Sequence, residues 1–147
     1  MLQNRIELKG KFTGMKANEL RIGNLVMLHN PKYRLIESDK IHIVLEVREN
    51  AAMVTIPGSG NEYGQYYEFL KPILISEEIL LKCGFVLMNK WFDYELSLFR
   101  IGYITNDEYF QFESNGKVID IKSLHQLQNI VYFNTDQELN TSNLTDL

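Results

Sequence analysis

Only two stretches of this chain carry a helical apolar rhythm, and both are short. Everything between them is cut by turn residues into runs of strand length. That combination narrows the fold more than any other feature, because it excludes a helical bundle and an alternating β/α chain alike. An order of many strands and two helices points to the α+β class.

The first helical stretch is the better signed. Ser76 sits where its hydroxyl can accept an amide of the first turn, and Glu77 and Glu78 complement the positive helix end. Ile75 and Leu80 stand at hydrophobic-staple positions, and Gly84 can take the left-handed conformation that closes a helix. The spacing predicts a helix over Glu77–Cys83. So short a helix needs packing to hold it.

The second stretch is Ser123–Phe133. Ser123 and Gln126 match a capping box, in which each side chain satisfies a free backbone amide near the other, so Gln126 carries a structural role. At about 100° per residue, Leu124, Leu127, Ile130 and Val131 share one side. His125, Gln128, Asn129 and Tyr132 share another, an uncharged polar stripe where a solvated face would carry Lys and Glu. Exposed, these four residues are the candidate partner-binding surface. Buried, they are a hydrogen-bonded clamp between helix and sheet.

Strand signals fill the rest. Residues 15–70 are expected to form a small, SH3-like curled antiparallel β part. Its strands are a run from Leu20 to Leu28 with a Gly23-Asn24 turn, then Ile41–Val47, Ala52–Ile56 and Tyr66–Leu70. Between the last two, Pro57–Gly64 reads as a loop. Residues 85–121 read as an antiparallel meander of three or four strands ending at Lys117–Ile121, with turns at Asn89-Lys90, Thr105-Asn106-Asp107 and Asn115-Gly116. The C-terminal helix is expected to pack on this sheet. The domain plan is therefore a basic N-terminal extension (1–14), one α+β domain (15–139) and a flexible tail (140–147).

Composition bears mainly on function. Charged residues at 23% and hydrophobic ones at 45% are those of a globular chain. No run reaches the 18 or so apolar residues of a membrane span, which suggests a cytoplasmic protein. The net charge of −4 is uneven: residues 1–34 carry seven basic side chains against two acidic, and the remainder is −9. Arg5, Lys9, Lys11, Lys16 and Arg21 form a candidate basic patch for phosphate or an acidic surface. The aromatic-rich block over 85–112 would suit base stacking, but the stretch around it holds seven acidic and three basic side chains over 77–113, which repels phosphate.

Catalytic signatures are missing. His29, His42 and His125 are far apart and Cys83 is the single cysteine, so neither a zinc spacing nor a disulfide is written in the chain. Cys83 ends a helix, where a thiol is not activated, and reads as a core residue. There is no G-x-S-x-G elbow, and the glycines of 58–64 lack the spacing and the following helix of a phosphate loop. Asp93 with Glu95, and Asp107 with Glu108, are carboxylate pairs with no neighbouring base in sequence. No catalytic, cofactor-binding or metal-binding residue is expected.

Three segments carry a resemblance. Met15-Lys16-Ala17-Asn18-Glu19-Leu20-Arg21-Ile22-Gly23-Asn24, Pro72-Ile73-Leu74-Ile75-Ser76-Glu77-Glu78-Ile79-Leu80-Leu81-Lys82-Cys83-Gly84-Phe85 and Leu124-His125-Gln126-Leu127-Gln128-Asn129-Ile130-Val131-Tyr132-Phe133 occur in this order. Together they resemble a family of small phage and prophage proteins, from Met15 to about Leu139. The chain departs from that pattern in its basic start, Met1–Gly14, and in Asn134–Leu139 where the family tends to Thr-Gly-Glu-Glu-Leu. The resemblance itself implies little about activity; the uncharged polar stripe, the surplus of aromatics, the basic arm and the missing catalytic set lead to the expectation of a non-catalytic accessory protein with a host or phage protein as partner. By mobile-element context, that partner could be a ribonucleoprotein effector of host defence such as a CRISPR nuclease, with nucleic acid as the secondary alternative.

Overall fold

The computed structural model describes residues 15–29, 40–89, 91–94, 99–104, 109–114 and 117–144. The extension 1–14, with Arg5, Lys9 and Lys11, lies outside the described residues, as do Lys90, Glu95, Asp107, Glu108 and the Asn115-Gly116 turn. The fold is α+β. Residues 15–139, expected to form one domain, divide into two compact units, the first ending at Ile73 and the second starting at Leu74.

The first unit is a curled antiparallel sheet of five strands: β1 (Leu25–Leu28), β2 (His42–Val47), β3 (Ala51–Thr55), β4 (Glu62–Tyr66) and β5 (Leu70–Lys71), in the order β4-β3-β2-β1-β5. The Gly23-Asn24 turn forms as expected. Gly23 takes φ +93°, and the buried Asn24 accepts from the Arg21 amide at 2.7 Å. The register of β2 against β3 slips between Val44 and Glu46, a bulge of the kind that bends a strand and helps the sheet curl. Alternate side chains then point inward: Val26, Val44, Ala52 and Val54 are fully buried with Met15, Leu20 and Leu70, and Leu28, Val47, Tyr63 and Tyr67 close over them. The Tyr67 hydroxyl donates to the Arg48 carbonyl.

One strand is displaced from its expected place. Glu62–Tyr66 forms β4, while Tyr67–Phe69 is a 3-10 turn leading into β5. The loop is therefore shorter than 57–64. Thr55 pairs with Glu62 and Met53 with Gly64, so backbone pairing extends into a glycine-bearing segment that reads as loop by composition.

The second unit begins where Leu74 bridges Ser123 and the Ile75 amide donates to the Lys122 carbonyl at 3.0 Å. Helix α1 (Glu77–Lys82) follows. Ser76 accepts the Ile79 amide at 3.2 Å, and Glu78 pairs with Lys82 at 3.0 Å. Gly84, at φ +95°, ends the helix: its amide reaches the Leu81 carbonyl and the Phe85 amide the Leu80 carbonyl, the paired bonds of a Schellman stop.

A meander of five strands comes next: β6 (Val86–Met88), β7 (Trp91–Tyr94), β8 (Phe99–Ile104), β9 (Tyr109–Ser114) and β10 (Lys117–Ile121), in the order β10-β9-β8-β7-β6. Five rather than three or four form because Val86–Met88 pairs as a short edge strand on β7. One face buries Phe92, Tyr94, Ile101, Phe110, Phe112 and Ile121, with Phe85 against Tyr94 at 4.7 Å and Phe92 edge-on to Phe110 at 6.1 Å. Helix α2 (Leu124–Thr135) packs against the sheet and stops at Asp136, whose φ of +59° is left-handed. The tail differs from expectation. Ser142–Leu144 forms a 3-10 turn beside α1, with Leu144 fully buried and the Asn143 side chain donating to the Lys82 carbonyl at 3.4 Å. A fully buried leucine anchors the segment that its polar composition marks as flexible.

Candidate interaction surface

The start of α2 is fixed by Gln126. Its Oε1 accepts from the Lys122 amide (3.0 Å), the Ser123 amide (3.2 Å) and the Ser123 hydroxyl (3.1 Å), so the expected capping role is present. Because Ser123 is also the bridge partner of Leu74, this one oxygen steadies the point where the start of the unit meets the junction of β10 and α2.

The azimuth of the helix decides which residues are available. Leu124, Leu127 and Val131 are buried as expected, and Ile130 is only half-buried. His125 and Gln128 are in the interior, at 4% and 2% exposure, while Asn129 and Tyr132 are half-buried. Each of the four holds an interaction within the fold. The polar stripe therefore does not stand open to solvent. Two of its members, His125 and Gln128, are buried, and the centre of burial falls at the seam between the apolar and polar arcs.

What α2 turns outward is a different set. Gln126 and Phe133 are exposed, the latter at 76%, with Asn129 and Ile130 on their flanks. These positions are i, i+3, i+4 and i+7, one continuous stripe. No charged residue occurs between Lys122 and Asp136, so the outward face of this helix is as uncharged as its inward face. In sequence Phe133 reads as the end of the helix rather than as a member of an outward stripe, whereas the helix runs on to Thr135. Its angular position opposite Leu124 is the signal that identifies it.

The outer face of the second sheet holds a separate cluster. The Arg100 guanidinium lies 4.8 Å over the Trp91 ring, and its Nε is 3.0 Å from the Asp93 carboxylate. Trp91 is registered opposite Gly102, which has no side chain to compete for that space. Asp93 is thus half of an ion pair.

The remaining candidates have structural settings. Lys16 and Arg21 are both in the first unit; the backbone amide of Lys16 donates to the Glu19 carboxylate at 2.9 Å, and Arg21 donates to the Ile22 carbonyl at 3.3 Å. Their three expected companions in the basic patch lie outside the described residues. His29 is exposed, and His42 is fully buried with Nδ1 2.8 Å from the Lys40 carbonyl, which can only accept, so that nitrogen carries the proton. Cys83 is fully buried, and burial pushes its thiol up to about 12, far from the thiolate a nucleophile or metal ligand needs. Among the described residues no group of three or more His, Cys, Asp or Glu could hold a metal ion, and no helix is long and apolar enough to cross a membrane. No family model, curated protein or solved structure matches the chain.

Proposed function

We propose that this chain is a non-catalytic accessory protein of the phage and prophage type, which acts in the cytoplasm of a bacterial host by binding a macromolecular partner. Its target is a host defence protein such as a CRISPR nuclease, and the outward stripe of α2 is the docking face. One observation carries the reading: Phe133 is three-quarters exposed on a helix with no charged residue. A solvated helix face is normally charged, and interface centres are poor in charge and rich in aromatics.

The test is calorimetric titration of the purified chain into guide-loaded host effector complexes. Phe133→Asp should abolish binding, and Phe133→Ala should weaken it by about 2 kcal/mol or more, as for a central aromatic anchor. Absence of binding to any effector, or binding indifferent to Phe133→Asp, refutes the reading.

The second reading, RNA or DNA binding by the basic N-terminal segment, is favoured by the net +5 charge of residues 1–34. It requires affinity that falls steeply with salt and with charge reversal at Arg5, Lys9, Lys11, Lys16 and Arg21. Affinity independent of salt excludes it.

A further inference from the structure

We propose that residues 137–144 are an exchangeable strap, which leaves its socket beside α1 as a unit and fills the same socket of a second copy of this chain. The segment has two buried anchors. Leu139 and Leu144 are 4% and 0% exposed, while Gln137, Glu138, Asn140, Ser142 and Asn143 face solvent. Its far end folds on bonds of its own. The Asn140 Oδ1 accepts from the Ser142 amide at 3.1 Å and from the Ser142 hydroxyl at 2.8 Å, and the Leu144 amide donates to the Thr141 carbonyl at 3.0 Å. By contrast, the bond that ties Asn143 to the Lys82 carbonyl of α1 is long, at 3.4 Å. A segment with few buried apolar anchors and polar bonds that travel with it opens at lower free energy than the unit it covers.

What enters a vacated socket is shown by what fills it now. The occupant is a 3-10 turn, Ser142–Leu144, with a fully buried leucine and an asparagine aimed at the end of α1. A second copy carries the identical turn, leucine and asparagine, and so repeats every contact of the chain's own strap. A foreign segment would have to match all three. The strap lies at a chain end, so its release requires no sheet to open, and exchange is reversible.

The hinge favours exchange as well. Asp136 ends α2 at φ +59°, a left-handed conformation that strains a residue bearing a side chain. A strap folded back on its own chain needs that turn, whereas a strap reaching to another copy is free to leave it. Strained hinges of this kind are the ones that swap. The tether sets the concentration scale. A chain's own strap, on a short linker, stands at roughly millimolar effective concentration, so exchange becomes appreciable as the protein approaches that level. Reciprocal exchange fills both sockets and uses both straps, and association ends at a dimer.

The experiment puts one thiol on each side of the socket in separate full-length chains, Lys82→Cys in one and Asn143→Cys in the other, with Cys83→Ala in both. A chain carrying both thiols should close an intramolecular disulfide on oxidation, because the two positions meet in the closed strap. An equimolar mixture of the single-thiol chains near millimolar concentration should link covalently more than about tenfold faster than Lys82→Cys links with a Ser59→Cys control. Dilution to micromolar concentration before oxidation should remove that excess. In the unaltered chain, sedimentation velocity should show a dimer appearing over the same range. Asp136→Gly, at an exposed position, relaxes the left-handed turn and should weaken that dimer about threefold or more. The proposal is overturned if the double-thiol chain does not close or the mixture links no faster than the control. It is overturned equally by an unaltered chain that stays monomeric to millimolar concentration, or by Asp136→Gly dimerising as readily as the unaltered chain.

Discussion

Replacing Gln126 by alanine should destabilise the second unit by about 1–2 kcal/mol, most of it from one backbone group. Its side-chain oxygen takes three donors, and these are unequal. The Lys122 amide is exposed, so water replaces Gln126 there at little cost. Ser123 is only 4% exposed, and its amide loses an acceptor where water has poor access. An unmet amide in that position costs about 1–3 kcal/mol, and loss of a helix cap about 0.5–2 kcal/mol. The two figures describe the same bonds and do not add. In a unit the size of residues 74–147, each kcal/mol lowers the melting temperature by about 4–8 °C. Gln126→Glu is the informative control. It keeps the acceptor and places negative charge at the helix N-terminus, so at neutral pH it should melt at or above the unaltered chain. That advantage should disappear on acidification through the ordinary glutamate range near pH ~4. Thermal melts by circular dichroism measure all three proteins. Equal melting of Gln126→Ala and the unaltered chain, or equal losses in the Ala and Glu variants, would refute the capping argument.

Leu144→Ala should cost about 2–5 kcal/mol despite its place three residues from the C-terminus, because its side chain is fully buried; denaturant titration reads this directly. Gly84→Ala should cost about 1–2 kcal/mol, since φ +95° strains any side chain although the nearest atom of Tyr94 is an ordinary 3.8 Å away; Gly84→Asn should cost less, because Asn tolerates the left-handed region better. Cys83 should resist alkylation at neutral pH until denaturant is added, as followed by mass spectrometry. Its thiol pKa is raised from 9.0 to about 12 on folding, so the unfolded chain loses this proton first. The stabilisation is whole below pH 9 and declines as pH rises toward 12, and Cys83→Ala should flatten that part of the alkaline stability profile.

The legible parts of the fold are those written locally. Ser76, the two glutamates and Gly84 mark both ends of α1 within nine residues, and the Ser123–Gln126 box marks the start of α2 with the hydrogen bonds it implies. The Gly23-Asn24 turn was legible for the same reason. What depends on distant partners was not. The α2 pattern separates an apolar arc from a polar one, but the sheet decides its azimuth. There the seam faced inward, burying His125 and Gln128 and leaving Ile130 half out. Glu62–Tyr66 became a strand because β3 offered it a full ladder, which no residue of the segment announces. Leu144 was read as tail because a single leucine among polar residues has no period, although one buried leucine suffices to anchor a turn.

Trp91 is the only tryptophan in the chain, and it sits in the second unit with a guanidinium stacked on its ring. This gives the molecule a built-in optical reporter of half of itself. When β7 and β8 separate, Arg100 leaves the indole and the ring enters water, so the emission changes only as this sheet opens. If the curled sheet of residues 15–73 melts first, far-ultraviolet dichroism falls while the indole signal holds. The order in which the two units open can therefore be read by light alone, on the unlabelled and intact protein.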